Sequence, residues 1–280
     1  MNIYNSIKWL FNWKHFFQPE LPKVFGNIED KNEQDKIKNV YEQFLFFLYN
    51  QSTSTTHLEK NTTNIFSPNK TFHLYEYNFP YLNLLQNIKE NIICEKIKKC
   101  IYENNGDEKI KVFPITEMNE IYLSKIGGKG SDHIFETKHV DGPFFLLPYC
   151  YVYRCILALS SNKNVITHFI SSNECKNEIK TKIDVYEFAA FDYNKTIHYI
   201  SSDDDAATKM NEDLRVVYKL HYIVCPSFLP FPIMQFYKWL HIYYNNTMRF
   251  LFVNSQNNGS ILAWIINTGN CLFLSIFTHS

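Results

Sequence analysis

From Lys109 to Val224 the chain is divided into short runs rich in β-branched and aromatic residues, and nothing else in it restricts the fold as strongly. The runs are Lys109–Thr116, Glu120–Ile126, Tyr151–Leu159, Val165–Ile170, Val185–Phe191, Thr196–Ile200 and Leu214–Val224, separated by polar turns. Such residues suit a pleated, half-buried surface. Seven strands at this spacing predict a sandwich or jelly roll and not a series of βαβ units. The change of texture follows Asn104-Asn105-Gly106-Asp107, a turn signature.

Both flanks read as helical. In residues 1–60, Tyr41, Phe44, Leu45 and Leu48 recur at helical spacing behind the charged run Glu29–Lys38. Gln51–Lys70, rich in Ser, Thr and Asn, reads as a loop. After Pro80 a second amphipathic helix is expected over Tyr81–Tyr102, with Leu82, Leu85, Ile88, Ile92 and Ile97 apolar among lysines and glutamates, covering one sheet. Beyond Pro226, Pro230 and Pro232 the spacing of Phe236, Trp239, Leu240 and Tyr243 is helical again. The expected organisation is a helical and loop flank (1–108), a β core (109–226), and a C-terminal helix with an apolar extension packed on the core (227–280). The class is mainly β with flanking helices. Residues 260–277 raise the question of a membrane, but Asn267, Gly269 and Asn270 leave pieces shorter than the about 20 residues a spanning helix needs. Two strands joined by an Asn-Thr-Gly-Asn turn are the preferred reading, with membrane association as its alternative.

Composition narrows the function. Lys plus Arg equals Asp plus Glu at 28 each, so no net field favours a nucleic acid or an anionic bilayer as the main partner. Seven cysteines form no C-x-x-C pair and read as reduced and structural. The start, Met1-Asn-Ile-Tyr-Asn-Ser-Ile-Lys-Trp, lacks a basic region followed by an apolar stretch, which points to an intracellular protein. Only Arg154, Arg215 and Arg249 break a strong preference for lysine. An arginine kept in such a chain is expected where a planar fork is needed.

The candidate site begins at His139-Val140-Asp141-Gly142-Pro143, where a strand would enter a turn. Residues i and i+2 of a strand face one side, so His139 and Asp141 can share an ion. His198 follows 59 residues after His139 (198 − 139) at the start of another run. Two imidazoles and one carboxylate can make a facial triad that leaves positions open on ferrous iron. Arg215 stands in the last β run, and Lys219 is two pleats further along the same face. Blander readings accompany each residue. A His-x-Asp pair can be a surface turn, Arg215 can pair with Asp213 or the acidic loop Ser201–Asp205, and Arg154 can form a salt bridge at the barrel edge. His133 and His168 read as satisfied polar residues and Asp203–Asp205 as a solvated tip. Gly127-Gly128-Lys129-Gly130-Ser131 lacks phosphate-loop spacing and reads as a mobile loop near the metal entrance.

The order His139, Asp141, His198, Arg215 resembles the motif of the Fe(II)/2-oxoglutarate-dependent oxygenases. Tyr153–Leu159 followed by Asn164–Phe169 is similar to that family's strand pair after the first motif. The stretch from Phe191-Asp192 through His198 and Arg215-Val216-Val217-Tyr218 to Cys225-Pro226 is similar to its aspartyl/asparaginyl β-hydroxylase-like branch. The resemblance spans about residues 110–226. It implies a double-stranded β-helix of the jelly-roll or cupin-like type, with iron on His139, Asp141 and His198. Arg215 or Lys219 would hold the far carboxylate of 2-oxoglutarate, and Arg154 is a further candidate contact. The implied activity is a dioxygenase consuming 2-oxoglutarate and O2 to hydroxylate a protein (an Asp or Asn side chain) or a small molecule. Two departures stand out: the His198-to-Arg215 interval of 17 residues (215 − 198) is long for the family, and the β-hydroxylase branch lacks the carboxylate that Asp141 supplies. The rival readings are a cupin-like metal-binding protein and a non-catalytic jelly-roll interaction module.

Overall fold

The computed structural model describes residues 20–53, 72–105, 110–124, 138–142, 150–162, 165–171, 174–202 and 215–258. Within them the strands are β1 (Val24–Asn27), β2 (Phe72–Tyr75), β3 (Ile110–Pro114), β4 (Glu120–Ser124), β5 (Tyr151–Ala158), β6 (Val165–Ser171), β7 (Glu174–Thr181), β8 (Glu187–Asp192), β9 (Ile197–Ser202) and β10 (Arg215–Pro226). Each of the seven predicted runs is a strand, its ends displaced by two residues at most. β1, β2 and β7 come without a sequence signal: two have only four residues, and β7 is a polar edge strand with Ile179 exposed.

Every ladder among the described residues is antiparallel. The larger sheet has the order β1-β8-β5-β10-β4-β2, with β3 also on β10; the smaller has β7-β6-β9. His139 extends the smaller sheet through an isolated antiparallel bridge to His198 of β9. The chain therefore visits the larger sheet at β4, the smaller at His139, the larger at β5, the smaller at β6 and β7, and then alternates through β8, β9 and β10. Eight segments wound between two sheets in this way are a jelly roll, the double-stranded β-helix. β1 and β2, from before residue 109, form both edges of the larger sheet.

β10 shows how the alternation works. It is buried along nearly its whole length. Its even-numbered residues Val216, Tyr218, Leu220, Tyr222 and Val224 join the main hydrophobic cluster, while Arg215, Val217 and Lys219 line a cavity on the opposite face. That cavity lies between the sheets, since Thr167, His198 and Ile200 of the smaller sheet also line it. A strand covered on both sides can thus carry two cations inward at period 2 without breaking the apolar face behind them.

Helices supply that apolar cover. They are α1 (Lys31–Thr53) and α2 (Cys94–Asn105), whereas α3 (Phe231–Asn258) packs Met234 and Tyr237 with Ile223 and Cys225 in a separate cluster. From Lys31 onward the charged run lies within α1, because the Asp30 carboxylate accepts from the backbone N–H of Asn32 (2.7 Å) and Glu33 (3.4 Å) and so caps the helix ahead of it. Ile37, Val40, Phe44 and Leu48 form its fully buried stripe. The helix expected over Tyr81–Tyr102 is segmented into a 3-10 stretch (Pro80–Leu85), a π turn (Ile88–Ile93) and α2. The π turn coincides with a buried polar junction: the Glu76 carboxylate accepts from Lys89 Nζ, from Asn119 Nδ2 at 2.7 Å and from Tyr218 Oη at 2.6 Å. Such a junction is tolerated because all its members are satisfied. No described helix is long and apolar enough to cross a membrane. The expectations for residues 127–131, 203–205 and 260–277, and for His133 and Asp213, lie outside the described residues.

Candidate metal centre

His139 and His198 are joined through backbone before their rings come into play. His139 N–H donates to His198 O (3.1 Å) and His198 N–H to His139 O (2.9 Å), which leaves the imidazole centroids 4.4 Å apart. His198 is the second residue of β9, entered through a turn in which the Asp192 side chain accepts from Asn194 N–H (3.0 Å) and the Asp192 carbonyl from Thr196 N–H (3.0 Å). Past Asp141, Gly142 N–H donates to Tyr193 O at 2.8 Å. Only glycine fits at this crossing: a Cβ on residue 142 would stand 2.2 Å from Asn194 Oδ1 and 2.5 Å from Tyr193 Cδ1. The sequence Asp-Gly therefore lets the first motif press against the turn that launches the second.

The result is a cluster of His139, Asp141 and His198 whose potential ligand atoms all lie within 4.8 Å of one another. Asp141 Oδ2 is 3.2 Å from His198 Nε2, and Oδ1 is 3.7 Å from His139 Nε2. Such a set could hold a metal ion, to which nitrogen and oxygen bind at about 2.0–2.2 Å. Burial pushes the Asp141 carboxyl up, but the Arg154 guanidinium and the two imidazoles outweigh it and hold the group well below the usual carboxylate range. Asp141 is thus poised as an anion, the form that binds a cation.

The lining of the cavity beneath the cluster includes Arg154, Thr167, Arg215 and Lys219. The two candidate anchors differ in their surroundings. Lys219 Nζ is 3.5 Å from Glu120 Oε1 and 3.8 Å from the Tyr122 ring centroid. Arg215 is buried, its Nε has no hydrogen-bond partner and no carboxylate lies within ion-pair distance among the described residues. Burial draws its pKa down, against a smaller upward pull from Tyr122. Thr167 Oγ1, also lining the cavity, is likewise buried without a hydrogen-bond partner among the described residues. Arg154 lines the cavity too, but its guanidinium is engaged with Asp141, Nη1 to Oδ2 at 2.6 Å.

His168, by contrast, faces away from the cavity, with Nδ1 2.9 Å from Glu178 Oε1 and Nε2 2.7 Å from Ser201 Oγ. Three residues around the site carry no motif. They are Thr167, Tyr193 and His221; the last continues the inner-face period of Arg215 and Lys219, and that period is the only signal that could have found it.

No protein-family model matches this chain, and no curated protein does. Several solved structures match in backbone. AviO1 from Streptomyces viridochromogenes is 10% identical, with 77% of this chain and 94% of that one covered and a TM-score of 0.45. The non-heme α-ketoglutarate-dependent epimerase SnoN from nogalamycin biosynthesis is 8% identical, with 78% and 83% covered and a TM-score of 0.43. EctD from S. alaskensis with bound Fe is 14% identical, with 71% and 72% covered and a TM-score of 0.39.

Proposed function

We propose that this chain is an Fe(II)/2-oxoglutarate-dependent oxygenase. The observation that carries the reading is the meeting of His139, Asp141 and His198 at the rim of a cavity into which Arg215 projects from the facing sheet. Two imidazoles and one carboxylate form the donor set suited to ferrous iron with positions left open. The three residues would hold the iron, which when bound would supply the chemistry by which O2 oxidises 2-oxoglutarate to succinate and carbon dioxide and a substrate C–H bond to the alcohol, one oxygen atom going to succinate and one to the alcohol.

The chain's own part is binding and orientation. Arg215, with a buried donor left over, is suited to the far carboxylate of 2-oxoglutarate, and Thr167 Oγ1 can donate to the same group. Lys219 is the second candidate for that anchor, already facing Glu120. Ile156, Val217 and Ile200 line the space between and keep it apolar, which strengthens each polar contact made there. The reaction on the substrate is proposed to be hydroxylation, with a protein side chain such as Asp or Asn and a small molecule as the two substrate classes to test. The test is 2-oxoglutarate turnover: purified protein with Fe(II) and O2 should form succinate, and His198→Ala should form none. Succinate formation at the same rate in both would overturn the reading.

A further inference from the structure

Arg154 makes more contacts at the centre than a salt bridge requires. It stands on β5 directly across from His221 of β10. Its Nη1 is 2.6 Å from Asp141 Oδ2, a charge contact without hydrogen-bond geometry, its Nε donates to His221 Nε2 at 3.1 Å, and its Cζ lies 4.8 Å from the Tyr193 ring centroid. Tyr193 is itself braced, edge-on to His221 at 5.6 Å, with its backbone N–H on Val152 O (2.8 Å) and its hydroxyl on Asn245 Oδ1 of α3 (3.2 Å). The same Tyr193 carbonyl holds Gly142 N–H, so one residue braces both the backbone next to Asp141 and the arginine on its side chain. Lysine could not replace this arginine, because a single ammonium cannot serve a carboxylate and an imidazole on different edges while stacking on a ring. In a chain that otherwise uses lysine at nearly every basic position, Arg154 is therefore a position where the fork is used.

We propose that Arg154 is the positioning residue of the metal centre. It fixes the Asp141 carboxylate so that one oxygen reaches the ion, and it occupies the other enough to keep the carboxylate from closing on the ion with both. This inference rests on the metal reading above. An octahedral ion held by two imidazoles and one carboxylate oxygen keeps three positions free, and a chelating carboxylate would remove one of them. Partners of this kind, which touch a ligand and not the metal, typically matter 10- to 100-fold in metal affinity.

The experiment is titration of the full-length protein with Co(II), followed by visible absorption, alongside thermal unfolding of each metal-free variant. Arg154→Ala should weaken Co(II) binding by about 10- to 100-fold and change the shape of the cobalt d–d bands, since the freed carboxylate can chelate. Arg154→Lys keeps the charge and the buried stem, so it should fold, regain part of the affinity and retain the altered spectrum. His221→Phe keeps a ring against Tyr193 but removes the acceptor for Nε, and should shift affinity and spectrum in the same direction by less. Wild-type affinity and spectrum in both Arg154→Lys and His221→Phe would overturn the inference while leaving the metal reading standing. Absence of Co(II) binding in the wild type, as in His198→Ala, would remove the metal reading and this inference with it.

Discussion

Replacing Gly142 by alanine should damage the centre more than the fold. The added methyl would stand 2.2 Å from Asn194 Oδ1, 2.5 Å from Tyr193 Cδ1 and 2.7 Å from Tyr193 Cε1, where ordinary contact needs about 3.5 Å. Something must therefore move by roughly 1 Å. Tyr193 is ill placed to move, being buried, bonded to Val152 and Asn245, and stacked under Arg154. The segment His139–Gly142 meets Tyr193 through the Gly142 N–H bond to Tyr193 O, which the displacement would break. Overpacking of this kind costs about 1–3 kcal/mol, while metal geometry tolerates only about 0.2 Å. Gly142→Ala should thus lower the melting temperature moderately and weaken Co(II) binding by at least about tenfold, the equivalent of 1.4 kcal/mol. Calorimetric titration and thermal unfolding measure the two effects separately. A variant with unchanged metal affinity would show that the crossing of Gly142 over Tyr193 does not set the position of Asp141.

Arg215→Ala should weaken 2-oxoglutarate binding by about 10- to 150-fold, since a charge-assisted contact contributes about 1.5–3 kcal/mol; if Lys219→Ala carries that loss in a parallel titration, the anchor is Lys219. His241 of α3 is buried with neither ring nitrogen hydrogen-bonded among the described residues, and burial pulls its pKa from 6.5 down to about 4. The sign follows from linkage: the unfolded chain takes up a proton below pH 6.5 while the folded chain resists until about pH 4, so stability falls as pH drops through that window. The drop amounts to roughly 3 kcal/mol at 1.36 kcal/mol per pKa unit, and His241→Phe should remove most of it in chemical denaturation at pH 7 and pH 4. Lys89→Met should destabilise by about 3–5 kcal/mol, because it leaves the buried Glu76 carboxylate without its cation; a loss below 1 kcal/mol in urea unfolding would show that Asn119 and Tyr218 suffice.

The β core was legible because its strands are runs rich in β-branched and aromatic residues separated by polar turns. The candidate site was legible as an order of residue types, His139, Asp141, His198 and Arg215, and the fold brings these residues to a single cavity, where their roles stand as proposals. What was hidden depends on contacts between distant segments. β1 and β2 are too short to show a period and become strands only by pairing with β8 and β4. The π turn at Ile88–Ile93 sits on a junction whose partners are 13 to 142 residues apart in sequence. Arg154 could be marked as unusual by its type, but its partners Asp141, His221 and Tyr193 lie on three separate segments. The need for glycine at position 142 likewise arises only once the turn at Tyr193 and Asn194 is in place.

The central claim is that His139, Asp141 and His198 jointly hold one ferrous ion, and anaerobic Fe(II) titration of the metal-free protein tests it most directly. The wild-type chain should take up one iron, with binding abolished in His198→Ala and in Asp141→Ala while both variants stay folded. Retention of a full equivalent of iron by either folded variant would contradict it.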